Sequence, residues 1–163
     1  MAGEILDPEH PETLATCGTG QAADPAAARS QFAALLPVME RQRGPEHAET
    51  LRVRAHLARM TGQAGDAAGA RSQYAALLPV MERVWGSWHL ETLGARGSRA
   101  YWTGEAGDAA GACSQFAALL PVMERLRGPE HAETLRVRAH LARMTGQRGM
   151  RQAPAATTSR CYR

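Results

Sequence analysis

Histidine returns in one setting along this chain: His10, His47 and His131 each follow Pro-Glu, and His89 follows Ser-Trp. Imidazole is the commonest zinc ligand, so these four are the first candidates for chemistry. They fall one to each unit of a repeating sequence, however, and packed helix layers stand roughly 9–10 Å apart, so one ion cannot gather them. Their expected role is a polar residue opening a helix. His56 and His140 are read as solvated or groove-facing helix positions. Gly18-Thr-Gly20-Gln-Ala-Ala23 spells part of a dinucleotide fingerprint, but that loop needs a preceding strand, and here it is a turn between two helices. Glu46 and Glu49 pair at an exposed helix entrance, where little desolvates them enough to raise a pKa for acid catalysis. Neither His-Glu-x-x-His nor Gly-x-Ser-x-Gly occurs. All 19 of the Lys+Arg residues are Arg, which rules out a phosphate-loop lysine and Schiff-base chemistry. We therefore assign no catalytic, cofactor-binding or metal-binding residue and expect no enzyme.

Charge and length bound the partners. The chain has 163 residues and a net charge of +3, a mild excess rather than the dense basic stripe that a phosphate backbone demands. Nucleic acid is the least favoured partner. Cys17, Cys113 and Cys161 match neither a disulfide framework nor a metal spacing, so a reducing compartment is expected. The first residues carry no leader pattern, and the longest apolar stretches, such as 32–39, fall far short of the roughly 20 residues a membrane helix requires. The expectation is a cytoplasmic protein with no membrane association.

These residues sit on a repeat. Gly44-Pro-Glu-His returns at Gly128, with Gly86-Ser-Trp-His midway, each step being 42 residues. Gly65-Asp-Ala-Ala-Gly returns at Gly107, and Ala-Ala-Leu-Leu-Pro-Val-Met-Glu-Arg starts at Ala33, Ala75 and Ala117 on the same step. A fixed period of this size signals stacked supersecondary units. Each unit reads as two helices. The first spans roughly residues 47–61, with Glu49 in its first turn, and ends before Gly62. Asp66 is placed to cap the second, along which Tyr74, Leu77, Leu78 and Met81 share a face. Residues 30–63 and 114–147 differ only at Gln42 against Leu126, which points to a recent two-unit duplication and forbids reading function into their agreement.

The order Leu57, Ala58, Gly65, Asp66, Ala70, Tyr74, Leu77 resembles the tetratricopeptide repeat, and the 42-residue period with its Gly-Pro-Glu-His opening resembles the kinesin-light-chain type. Similar arrays occur in actinobacteria, often as sensor regions of STAND-class ATPases. The resemblance implies an all-α fold, a right-handed α-solenoid of antiparallel helix pairs. We divide the chain into a lead (1–6), a solenoid (7–149) and a disordered tail (150–163). The units are 7–43, shortened within its first helix, 44–85, 86–127 and a partial 128–149, about two complete and two partial. The third is the expected weak point: Gly94 and Gly97 interrupt its first helix, and Arg99 stands where its neighbours have Leu57 and Leu141. Pro37, Pro79 and Pro121 should kink or break each second helix, either shaping the groove or ending its well-packed half.

In such arrays the first helices line a concave groove. Carried onto this sequence, the groove positions are Arg52, Ala55 and Arg59, then Tyr101, then Arg136, Ala139 and Arg143. Guanidinium groups on both sides of a tyrosine suit an extended peptide bearing carboxylates. The alternative is surface charge, since Glu49–Arg52 and Glu133–Arg136 stand at helical i, i+3 spacing. The asparagines with which kinesin-light-chain repeats hold peptide backbone are replaced here by Ala55 and His56, Gly97 and Ser98, Ala139 and His140. Trp85, Trp88 and Trp102 are either core filling or an exposed anchor, and Cys113, at the place of Arg71, is incidental. The functional expectation is a non-catalytic module binding a protein or peptide, acidic in character, or part of a larger sensor array. The rivals are a truncated fragment without independent function and an Arg-based nucleic-acid binder. Array ends without polar caps leave self-association open.

Overall fold

The computed structural model describes residues 24–152. They form six helices: α1 (Pro25–Arg43), α2 (Ala48–Gln63), α3 (Ala67–Trp85), α4 (Leu90–Glu105), α5 (Ala109–Arg127) and α6 (Ala132–Gln152). Among the described residues there is no strand. His10, Cys17 and the Gly18–Ala23 stretch lie outside the described residues, as do the short first helix expected in residues 7–23 and the tail from 153 onward, with Cys161.

Short polar signals punctuate the chain. The second helices open on aspartate: Asp66 Oδ1 accepts the Gly69 N–H at 2.7 Å and Asp108 Oδ1 that of Gly111 at 2.8 Å. A side chain at Gly69 or Gly111 would collide with that carboxylate, so glycine and cap form one device. The first helices open on histidine. Nδ1 of His47, His89 and His131 accepts the N–H of Glu49, Glu91 and Glu133 at 3.3, 3.3 and 3.2 Å, satisfying one orphan donor per helix. Helices α1, α3 and α5 stop at Gly44, Gly86 and Gly128, whose φ of 94°, 91° and 92° suits glycine alone.

Stacking follows from who touches whom. Besides pairing with their neighbours in sequence, α2 touches α4 and α4 touches α6, whereas α1, α3 and α5 do not touch one another. The first helices therefore crowd along the inner side of a curved stack and the second helices splay along the outer. No pair closes its own core: Ala95 and Trp102 of α4 complete the cluster of Leu51, Tyr74, Leu77 and Met81, while Leu93 of α4 joins Phe116, Met123 and Met144 in the next. A ladder of ion pairs runs beside this core. Arg54, Arg96 and Arg138 reach back to Glu40, Glu82 and Glu124 at 2.6, 2.7 and 2.7 Å, always from a first helix to the second helix before it.

Four expectations change. Helix α2 runs through Gln63 and turns at Gly65 (φ 99°), so Gly62 is an interior residue. A Cβ there would lie 2.5 Å from the Trp102 ring, so glycine is what admits the next unit's bulky side chain. The prolines do not break α1, α3 or α5, which continue through Pro37, Pro79 and Pro121. Each is exposed, and so is the residue four before it, so the carbonyl left without a backbone donor lies in an exposed stretch of helix that water can reach. Helix α6 continues to Gln152, across the expected boundary after Gly149. Arg99 is exposed and its counterparts Leu57 and Leu141 are only half-buried, so a long cation is tolerated and α4 remains one helix.

Candidate functional site

On the inner side, α2, α4 and α6 enclose a groove of about 730 Å³. Its floor is apolar: Tyr74, Met81, Phe116, Leu119 and Met123 reach it from the outer helices because Gly94 and Gly97 leave α4 thin there. Its walls carry Arg52, Arg59, Tyr101 and Arg136 from the sequence-based set, together with His56 and His140. Arg143 is not among the lining residues; its guanidinium lies over the Tyr101 ring, 5.3 Å from the centroid, and pairs with Glu105 at 2.7 Å. Arg143 therefore fixes Tyr101 from behind. Ala139 does not line the groove, while Ala55 does.

The arginines are unequally engaged. Arg52 pairs across helices with Glu91 at 3.1 Å, while Glu49, its expected intrahelical partner, is held by Arg43 at 2.7 Å. Arg136 does pair with Glu133 at i, i+3, but loosely at 3.9 Å and with 68% of its side chain exposed. Arg59 meets no carboxylate among the described residues; its guanidinium lies 3.4 Å from His56 Nδ1. Glu91 and Glu133 both line the groove, so it is not a purely basic slot. Sequence reading placed neither in the groove and took Glu133 only as an intrahelical partner of Arg136. The signal was available, since a glutamate follows each helix-opening histidine by two positions, but only stacking turns it towards the neighbouring unit.

Aromatic rings hold the histidines. His140 stacks on Phe116 with centroids 5.4 Å apart and meets the Tyr101 ring edge at 5.2 Å; His56 stacks on Phe32 at 5.4 Å. Burial lowers the pKa of both, reinforced by Arg59 beside His56 and by Arg143 and Arg136 beside His140. Between them, Ser98 takes the histidine position and Tyr74 the phenylalanine position; the Tyr74 hydroxyl donates to the Ala55 carbonyl at 2.9 Å, and burial raises its pKa. The three tryptophans part company: Trp102 is core, Trp85 stacks on His89 at 5.3 Å, and Trp88 is 57% exposed. Cys113 is buried, 3.8 Å from the Thr145 hydroxyl.

No family model matches the sequence, and no curated protein matches it. Solved structures do. A crystal structure of nearly identical TPR-like repeats from a kinesin light chain candidate of Podosopora anserina superposes with a TM-score of 0.66 at 20% identity, covering 91% of this chain and 72% of that one. A form of those repeats carrying a glutamine-to-methionine substitution gives a TM-score of 0.68 at the same identity and coverage. The fold is TPR-like. Among the described residues no helix is long and apolar enough to cross a membrane.

Proposed function

We propose that this chain is a non-catalytic interaction module that binds an extended peptide along the inner face of α2, α4 and α6. The observation that carries the reading is the pairing of an apolar floor with Arg59, a wall guanidinium that meets no carboxylate among the described residues, and with the weakly held Arg136. A carboxylate arriving at either would form charge-assisted bonds, each contributing about 1.5–3 kcal/mol. Tyr101, fixed by Arg143 and His140, offers a ring against which an apolar side chain of the same peptide packs. Arg52 and Arg143 serve as positioning residues through Glu91 and Glu105. Two interhelical steps make the groove about 20 Å long, room for about six extended residues. The ligand class is thus a short segment mixing acidic and apolar residues. Glu91 and Glu133 in the walls oppose a continuous phosphate backbone.

Screening six-residue library peptides against the full chain, then titrating the best binder by calorimetry, tests this. The double variant Arg59→Glu/Arg136→Glu should lose about 100-fold or more in affinity, while Arg125→Glu on the outer helix α5 leaves it unchanged. Affinity unaffected by the groove pair, or lost equally with Arg125→Glu, would reject the reading.

A further inference from the structure

Helix α6 repeats α2 without a change over Ala132 to Gln147, yet the two have different surroundings. Leu51, under α3, is 0% exposed; its counterpart Leu135 is 45% exposed. Ala58 is fully buried and Ala142 is exposed. Gly62 and Gly104 are filled by Trp102 and Met144 of the following first helix, whereas a side chain at Gly146 would meet nothing within 4 Å. Identical sequence with unequal burial isolates the cause: α6 shows bare the face that α3 covers on α2. At the other end, α1 is a second helix with no first helix of its own among the described residues. It differs from α3 only at Pro25, Ala27, Phe32, Gln42 and Arg43. Its Leu35 and Leu36 are half-buried, where Leu77 and Leu78 are buried in α3.

We propose that the occupant of the α6 face is α1 of a second copy of this chain, so that copies join head to tail and continue the repeat. The seam already exists inside the molecule, between α2 and α3, and its polar contacts have counterparts at the two ends. Gln73 bonds Thr61 across that seam at 3.3 Å; the matching residues are Gln31 of the second copy and Thr145. Arg83 pairs with Glu46; the matching residues are Arg41 of the second copy and Glu130, and neither is in an ion pair among the described residues. In the α4–α5 unit Trp88 replaces the glutamate opposite Arg125, so the fold alone does not supply this pairing; here the copying of residues 30–63 as 114–147 supplies it. Beyond α1, α2 of the second copy would bring Met60 to the open Gly146, as α6 brings Met144 to Gly104. Such a joint uses two different surfaces, so it does not close on itself and builds a lengthening array. The proposal is independent of what the groove binds.

Light scattering coupled to size exclusion, run on the full chain from micromolar to near-millimolar concentration, should show a molar mass rising continuously above 17.5 kDa. Leu135→Arg, which blocks the tail on an already exposed residue, and Leu35→Arg, which blocks the head, should each remain monomeric. Mixed, they should give a dimer and nothing larger, since one intact tail meets one intact head. Circular dichroism checks that both variants fold, and if Leu35→Arg does not, Gln31→Glu/Arg41→Glu replaces it. A wild-type chain that stays monomeric, growth that stops at a dimer, assembly by Leu135→Arg alone, or a mixture no heavier than its parts would each overturn the proposal.

Discussion

A histidine pressed flat against a phenylalanine ring gives up hydration that its charged form needs. His56 on Phe32 and His140 on Phe116 have folded-state pKa values below the usual 6.5, burial being the larger cause and the neighbouring arginines the lesser, while Glu91 and Glu105 oppose the shift. The unfolded chain therefore binds more protons than the folded one below pH 6.5, and stability falls as pH drops through the window beneath that value. Above it, both states are neutral at these sites and the effect vanishes. Melting temperature followed from about pH 8 to about pH 5 should be flat and then decline, and His56→Gln/His140→Gln should reduce the decline. An unaltered slope in that variant would show that other groups govern it. At this scale the sequence was half legible. The position of His47 and His131 at helix starts could be read from Gly-Pro-Glu-His, and that of His89 from Gly86-Ser-Trp-His in the same register, because capping depends on local order. The Arg52–Glu91 pair and the Trp102 contact with Gly62 could not, because each joins residues about a repeat apart that only stacking brings together.

Helix α4 is the element in which the shape of the groove opposes helix propensity. Gly94 and Gly97 open the groove floor, and each costs about 0.5–1 kcal/mol relative to alanine. A Cβ at Gly94 would meet nothing within 4 Å, and one at Gly97 would meet Leu119 at an ordinary 3.5 Å. Gly94→Ala/Gly97→Ala should therefore raise the melting temperature by roughly 2–8 °C while narrowing the groove. A lower melting temperature would mean that α4 is strained at these residues. Six helices were legible as a 42-residue period with two helical faces per unit. Their continuity through Pro37, Pro79 and Pro121 was not, since whether proline breaks a helix depends on where the freed carbonyl points. Here each proline and the residue four before it are exposed, a fact of packing rather than of local sequence.

At the scale of the molecule, each core among the described residues is shared between neighbouring units, so stability is a chain of nearest-neighbour terms. The same stacking aligns α2, α4 and α6 so that residues more than forty positions apart share one groove. Period and apolar patterning announced that stack; the balance of charge inside it emerged only with the cross-helix pairs. The central claim is that this inner face is where a ligand sits. Amide chemical shifts of the full chain, recorded while a selected acidic–apolar peptide is added, test it most directly. The account predicts saturating shifts gathered at Arg59, Gly97, Tyr101, Arg136 and His140, with the outer faces of α1, α3 and α5 unmoved. Shifts centred on those outer faces, or scattered without saturation, would contradict it.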